Sequence, residues 1–131
     1  MVSGGAPFHA HIYFTASDRP VAAAMRERFA NLTEPGSDPQ IDFVGRMVEG
    51  PVGPHPVPQF EVHFLGDGRK AVVGLIEASG LRALVHPLTD DDLADHTTLG
   101  QWIGEPLDLD LSVLDPPGVN QGVARFGGKD F

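Results

Sequence analysis

An α+β fold built on one antiparallel sheet is predicted by three features of the 131-residue chain. Several segments alternate apolar and polar residues, two segments between them carry helical periodicity, and the order runs strand, helix, strand, strand, helix, strand. That order is the split βαβ arrangement, in which both helices cover one sheet face and leave the other open.

The first strand spans Phe8 to Phe14, with Phe8, Ala10, Ile12 and Phe14 on one side and His9, His11 and Tyr13 on the other. Ser17-Asp18-Arg19-Pro20 then supplies a capping side chain and a proline suited to a first helical turn. Val21, Met25, Phe29 and Leu32 recur at spacings of three and four, so a core-facing helix runs on to the stop at Glu34-Pro35-Gly36. Ile41 to Val48 is predicted as the second strand, its apolar set 41, 43, 45 and 47 alternating with Asp42 and Arg46. Prolines and glycines at 50, 51, 53, 54, 56 and 58 make the next segment a stiff loop presenting His55. In the third strand, Gln59 to Leu65, Phe60, Val62 and Phe64 oppose Gln59, Glu61 and His63.

After the turn Gly66-Asp67-Gly68, Val72, Leu75, Ile76 and Ser79 predict a second helix within 69–79. Leu81 to His86 is the fourth strand, closed by Pro87. A helix start is expected after Thr89, at the acidic run 90–92, and the residues around His96 and Trp102 can fold over the open face. Leu107 to Leu111 alternates Leu and Asp as an extra strand would. The chain is expected to form a single domain over 1–131, with a core at about 8–110 and a Gly/Pro-rich C-terminal extension, 112–131, that serves as a tail or partner-binding arm.

The element order gives a ferredoxin-like topology, with strand one central between strands three and four. Its apolar sets lie beneath the helices, and His9, His11, His63 and His86 emerge on the open face from adjacent strands. Imidazoles repeated in this way suit a transition metal. An isolated His-x-His pair is weak evidence, since two surface histidines look the same; the recurrence on one face gives it weight.

Composition narrows the chemistry. With no cysteine, any metal must be held by nitrogen and oxygen donors. Eighteen acidic residues against nine scattered basic ones give a field that repels a phosphate backbone, so no nucleic-acid partner is expected. A mean hydropathy of −0.08 and the lack of a long apolar run argue against a membrane association. Residues 1–7 have neither the basic start nor the apolar stretch of a secretory signal, which makes a cytoplasmic location the expectation.

Four ordered stretches carry a family likeness: His9-Ala10-His11-Ile12-Tyr13-Phe14, Val52-Gly53-Pro54-His55-Pro56, Leu84-Val85-His86-Pro87, and Asp95-His96-Thr97 with Trp102-Ile103-Gly104. Together they resemble the DOPA 4,5-dioxygenase family of small ferredoxin-like proteins. The resemblance implies extradiol cleavage of a small catechol such as DOPA by dioxygen and non-haem iron(II), with zinc or another divalent metal able to occupy the same donors.

Catechol and dioxygen must share the metal with the protein, which leaves room for about three protein ligands. His9, His11 and His86 are expected to provide them. Glu61, in phase on strand three, is a possible ligand, a carboxylate orienting a ligating imidazole, or a surface ion-pair partner. His55 and His96 are the candidate catalytic groups for moving the catechol protons. His63 reads as a ligand or substrate contact, and Tyr13 as a substrate contact or a packed aromatic. The competing reading is a metal-free dimeric domain that binds a small molecule between open sheet faces. A homodimer is expected in either case, because open faces and edges are commonly covered by self-association.

Overall fold

A computed structural model of the protein describes residues 5–116 and 125–128. It contains β1 (Pro7–Tyr13), α1 (Arg19–Asn31), β2 (Phe43–Val44), β3 (Gln59–Leu65), α2 (Arg69–Ser79), β4 (Ala83–Pro87), α3 (Asp92–His96) and β5 (Gln101–Ile103). The five strands form one sheet in the order β2-β3-β1-β4-β5, every neighbouring pair antiparallel. This is the α+β split βαβ arrangement expected, with one more strand at its edge.

The core lies between the sheet and α1 and α2. Ala10, Ile12, Phe60, Val62, Phe64, Ala83 and Val85 face Ala22, Met25, Phe29, Val72 and Ile76. Strict alternation in β1 and β3 therefore does what it predicts: one set packs under helices, and the other set is released to the opposite face. In α1 the stripe is shifted, since Ala22 is buried while Val21 is 42% exposed. The Pro20 start sets the helix phase, and a small alanine fits closer to the sheet than valine.

Two expectations need correction. The segment 41–48 is not a regular strand, and only Phe43–Val44 forms one. Hydrogen bonds from Asp42, Gly45 and Val48 reach the carbonyls of His63, Glu61 and Gln59, so the segment spends three residues for every two of β3. Such bulging breaks the period of two: Val44 packs toward the core while Phe43 turns the other way, its ring 4.8 Å from that of His63. Among the described residues Leu107 to Leu111 pairs with no strand and leads into a 3-10 turn at Leu111–Val113, whereas the extra strand is Gln101–Ile103 on the edge of β4. The short helix α3 begins within the expected acidic run, capped by Asp91, whose side chain accepts from Ala94 N.

The face opposite the helices is roofed within the chain by the 49–58 loop, α3 and residues 125–128. The loop is held by paired bonds between Val52 and His55, with Gly53 at φ 53°, the left-handed conformation such a turn demands. The part of the C-terminal extension that is described, 125–128, lies on the histidine face; residues 117–124 and 129–131 of that expected tail lie outside the described residues. Of the open face and edges from which self-association was expected, the face is covered by these segments, and β2 and β5 stand at the edges. Among the described residues no helix is long and apolar enough to cross a membrane.

Candidate metal centre

All six histidines of the chain gather on the roofed face, each at 7% exposure or less. His9 and His11 come from β1, His63 from β3, His86 from β4, His55 from the loop before β3 and His96 from the last turn of α3. Register places His9 directly between His63 and His86, and His11 between Glu61 and Leu84. The contact that brings two nitrogens together runs diagonally: His11 Nε2 and His86 Nε2 are 3.0 Å apart.

The outer nitrogens fix what that contact can be. His11 Nδ1 donates to Gln59 Oε1 at 3.1 Å, and His86 Nδ1 donates to the Pro87 carbonyl at 2.8 Å. Each neutral ring therefore turns a lone pair toward the other. Two facing lone pairs repel unless an electron-pair acceptor lies between them. A proton can serve only by charging one ring, and burial holds both rings well below the ordinary histidine pKa, reinforced by the neighbouring imidazoles. A metal ion suits better: ligands at about 2.0–2.1 Å and at right angles stand roughly 3 Å apart. The donor set thus fits a divalent transition metal. Ligand atoms of His9, His11 and His86 lie within 4.8 Å of one another, as do those of His11, His55 and His96, and of His9, Glu61 and His63.

His96 is positioned by a similar lock, Nδ1 donating to the Asp92 carbonyl at 2.8 Å within α3. Its ring lies 4.2 Å from that of His86. Asp95, beside it, accepts from Thr89 N and Oγ1 and so fastens the helix to the end of β4. His9 and His63 are arranged differently. Their rings stack at 3.8 Å. His9 Nε2 donates to the Arg125 carbonyl at 3.2 Å, and His63 Nδ1 accepts from Gly127 N at 2.9 Å. Glu61 Oε2 sits 3.4 Å from His63 Nε2 and 3.7 Å from His9 Nδ1.

Tyr13 and His55 share a 2.8 Å hydrogen bond through Nδ1, and the His55 ring packs 4.0 Å from that of His11. Burial, then the nearby His96, lowers His55 to about 3, and burial raises the Tyr13 phenol. Both are therefore neutral around pH 7. A cavity of about 220 Å³ is lined by His9, His11, His86, His96, Asp92 and Arg125, with Gly53 and Pro54 among its other walls. Tyr13, His55 and His63 stand behind that wall. Tyr13 and His63, the expected substrate contacts, are not among the residues lining this cavity, whereas Asp92 and Arg125 are.

Gln59, Asp92 and Arg125 carry functions that the sequence reading missed. Gln59 was read as the polar side of a strand, although being in phase with Glu61 and His63 marked it as a member of the same face. Arg125, 3.5 Å from Asp92 and hydrogen-bonded to Asp115, is 116 residues from the His9 that its carbonyl meets, and no local pattern signals that. Gly45 was counted as an apolar strand position; a Cβ there would stand 2.8 Å from Glu61 Cγ. Gly45→Ala must push a buried Glu61 against two histidines. The expected cost is about 1–3 kcal/mol, read as a lower urea midpoint at constant slope.

Comparison with known proteins agrees with this geometry. The model of the Dopa 4,5-dioxygenase family matches residues 8–113. The DOPA 4,5-dioxygenase of Amanita muscaria is 31% identical over 112 residues, covering 82% of this chain and 49% of its own length. An uncharacterized 21.2 kDa protein of Botryotinia fuckeliana is 35% identical over 117 residues, covering 82% of this chain and 62% of its own. The chain thus spans about half to three fifths of the curated relatives it matches. A crystal structure from Nostoc punctiforme, described as a putative dioxygenase, superposes with a TM-score of 0.72 at 37% identity, covering 82% of this chain and 90% of that one. Fold, histidine face and sequence match agree: the chain belongs to the Dopa 4,5-dioxygenase family.

Proposed function

We propose that the protein is a non-haem iron(II)-dependent extradiol dioxygenase that opens the ring of a small catechol, such as DOPA, with dioxygen. The observation carrying this reading is the 3.0 Å approach of His11 Nε2 and His86 Nε2, both presented as acceptors at one cavity. His11 and His86 hold the ion, and the third imidazole comes from the cavity wall, where His9 and His96 both stand. Bound iron(II) supplies a Lewis acid for the catechol oxygens and a redox partner for dioxygen.

The chain's own residues supply the rest. A cavity of about 220 Å³ beside these imidazoles offers room for a small single-ring ligand. Asp92 and Arg125 set opposite charges on its wall, which suits the ammonium and carboxylate of an amino-acid catechol. The Tyr13–His55 pair lies behind His11 as a neutral hydrogen-bonded couple. Standing behind the wall, His55 can receive a catechol proton only by relay, and the negative charge the substrate leaves behind raises a proton affinity that burial and then the nearby His96 keep low.

Tag-free protein loaded anaerobically with iron(II) should consume dioxygen on addition of catechols and develop the yellow colour of a ring-opened semialdehyde. Absence of both across a panel including DOPA would sink the reading in favour of a metal-free binding domain.

A further inference from the structure

The six histidines divide into two groups by the nitrogen each has committed. In His11, His86 and His96 it is Nδ1, donating to Gln59 Oε1, the Pro87 carbonyl and the Asp92 carbonyl. All three keep Nε2 as the acceptor, and all three line the same cavity. In His9 the commitment is reversed. Its Nε2 donates to the Arg125 carbonyl, and its remaining acceptor, Nδ1, lies 3.7 Å from Glu61 Oε2. His63 accepts from Gly127 N at Nδ1, which places its proton on Nε2, 3.4 Å from the same carboxylate oxygen. For His9 to join His11 and His86 on an ion through Nε2, it must release the C-terminal segment; through Nδ1, which lies on the Glu61 side, the ring must turn and so break the same Nε2–H bond to Arg125. His96 need break nothing: its ring lies 4.2 Å from that of His86, and its lock is a backbone carbonyl one helical turn earlier.

From this division we propose that His96 is the third metal ligand, with His11 and His86, and that His9 with His63 instead clamps residues 125–128 over the site. The proposal rests on the metal-binding reading above and revises its membership. His96 then serves as ligand instead of proton carrier, and proton handling falls to the Tyr13–His55 pair.

The test uses cobalt(II) as probe, titrated into tag-free protein in competition with a chromophoric chelator. His96→Gln should weaken binding by more than about 100-fold, and His9→Ala by no more than about 10-fold, the span of an outer contact. His9→Ala should in addition speed tryptic cleavage after Arg125. The wild-type protein gives a reading that needs no variant: the cobalt form should show three hyperfine-shifted, slowly exchanging Nδ1–H proton resonances, one for each locked ring. Comparable losses in the two variants, a larger loss in His9→Ala, or fewer than three such resonances would each overturn the assignment. Wild-type protein that binds no cobalt(II) would overturn the metal reading itself, a result distinct from all of these.

Discussion

His11→Ala is expected to lose metal affinity by more than about 100-fold, and turnover with it. Among the described residues His11, like His9, belongs to two of the three groups able to hold an ion, and it is the Nε2 of His11 that makes the 3.0 Å approach to His86. Its removal leaves Gln59 Oε1 without its donor and opens a hole between the His55 and His86 rings, which pack 4.0 and 5.0 Å from it. Apolar packing beneath the helices is untouched, since Ala10 and Ile12 face the other way. The variant should therefore fold, and elemental analysis of tag-free protein should find it empty under conditions that load the wild type. Unchanged metal content would remove His11 from the ligand set.

Acid should unfold the metal-free protein at an unusually mild pH. His9, His11, His55 and His86 are all held below the ordinary value of 6.5, chiefly by burial and then by neighbouring imidazoles; His55 is lowered to about 3. Because the folded-state values lie below the unfolded one, the unfolded chain binds more protons in the interval between them. Stability is then fully present above about pH 6.5 and is lost progressively as pH falls toward the folded values. Each histidine kept neutral by the fold withdraws about 1.4 kcal/mol per pH unit over the interval in which it stays neutral. The whole stability of a small domain is only about 5–15 kcal/mol, so several such groups acting together weigh heavily. Urea midpoints of chelator-treated protein should fall steeply between pH 7 and 5.5, and bound metal should move the loss to lower pH. A flat profile would mean that the rings are not held neutral by the fold.

What the sequence made legible follows its physics. Residues β3 and α2 need, an unbroken alternation and a clean turn before a helix, are all local, and both elements fall where the pattern placed them. The face shared by His9, His11, His63 and His86 follows from the same alternation plus the element order. Alternation reports two-sidedness and not pairing, however. Leu107 to Leu111 has two sides because it wraps a surface, its Asp110 N bonding only the Pro54 carbonyl among backbone partners. The three residues of β5 are too few to show a period. The diagonal contact of His11 with His86, the lock from Gln59, and the return of Arg125 depend on side-chain direction across long separations, and no one-dimensional pattern carries them.

The contributors to this centre stand far apart along the chain, with β1 inserted between β3 and β4. During synthesis the N-terminal His9-Ala10-His11 emerges first, as a loose two-point chelate on an unpaired strand. His86 and His96 arrive more than seventy residues later, and only insertion of β4 beside β1 brings Nε2 of His86 to Nε2 of His11. On the proposed metal reading, a tight site would form only once β4 stands beside β1, so capture of the ion would be a late event that follows completion of the sheet.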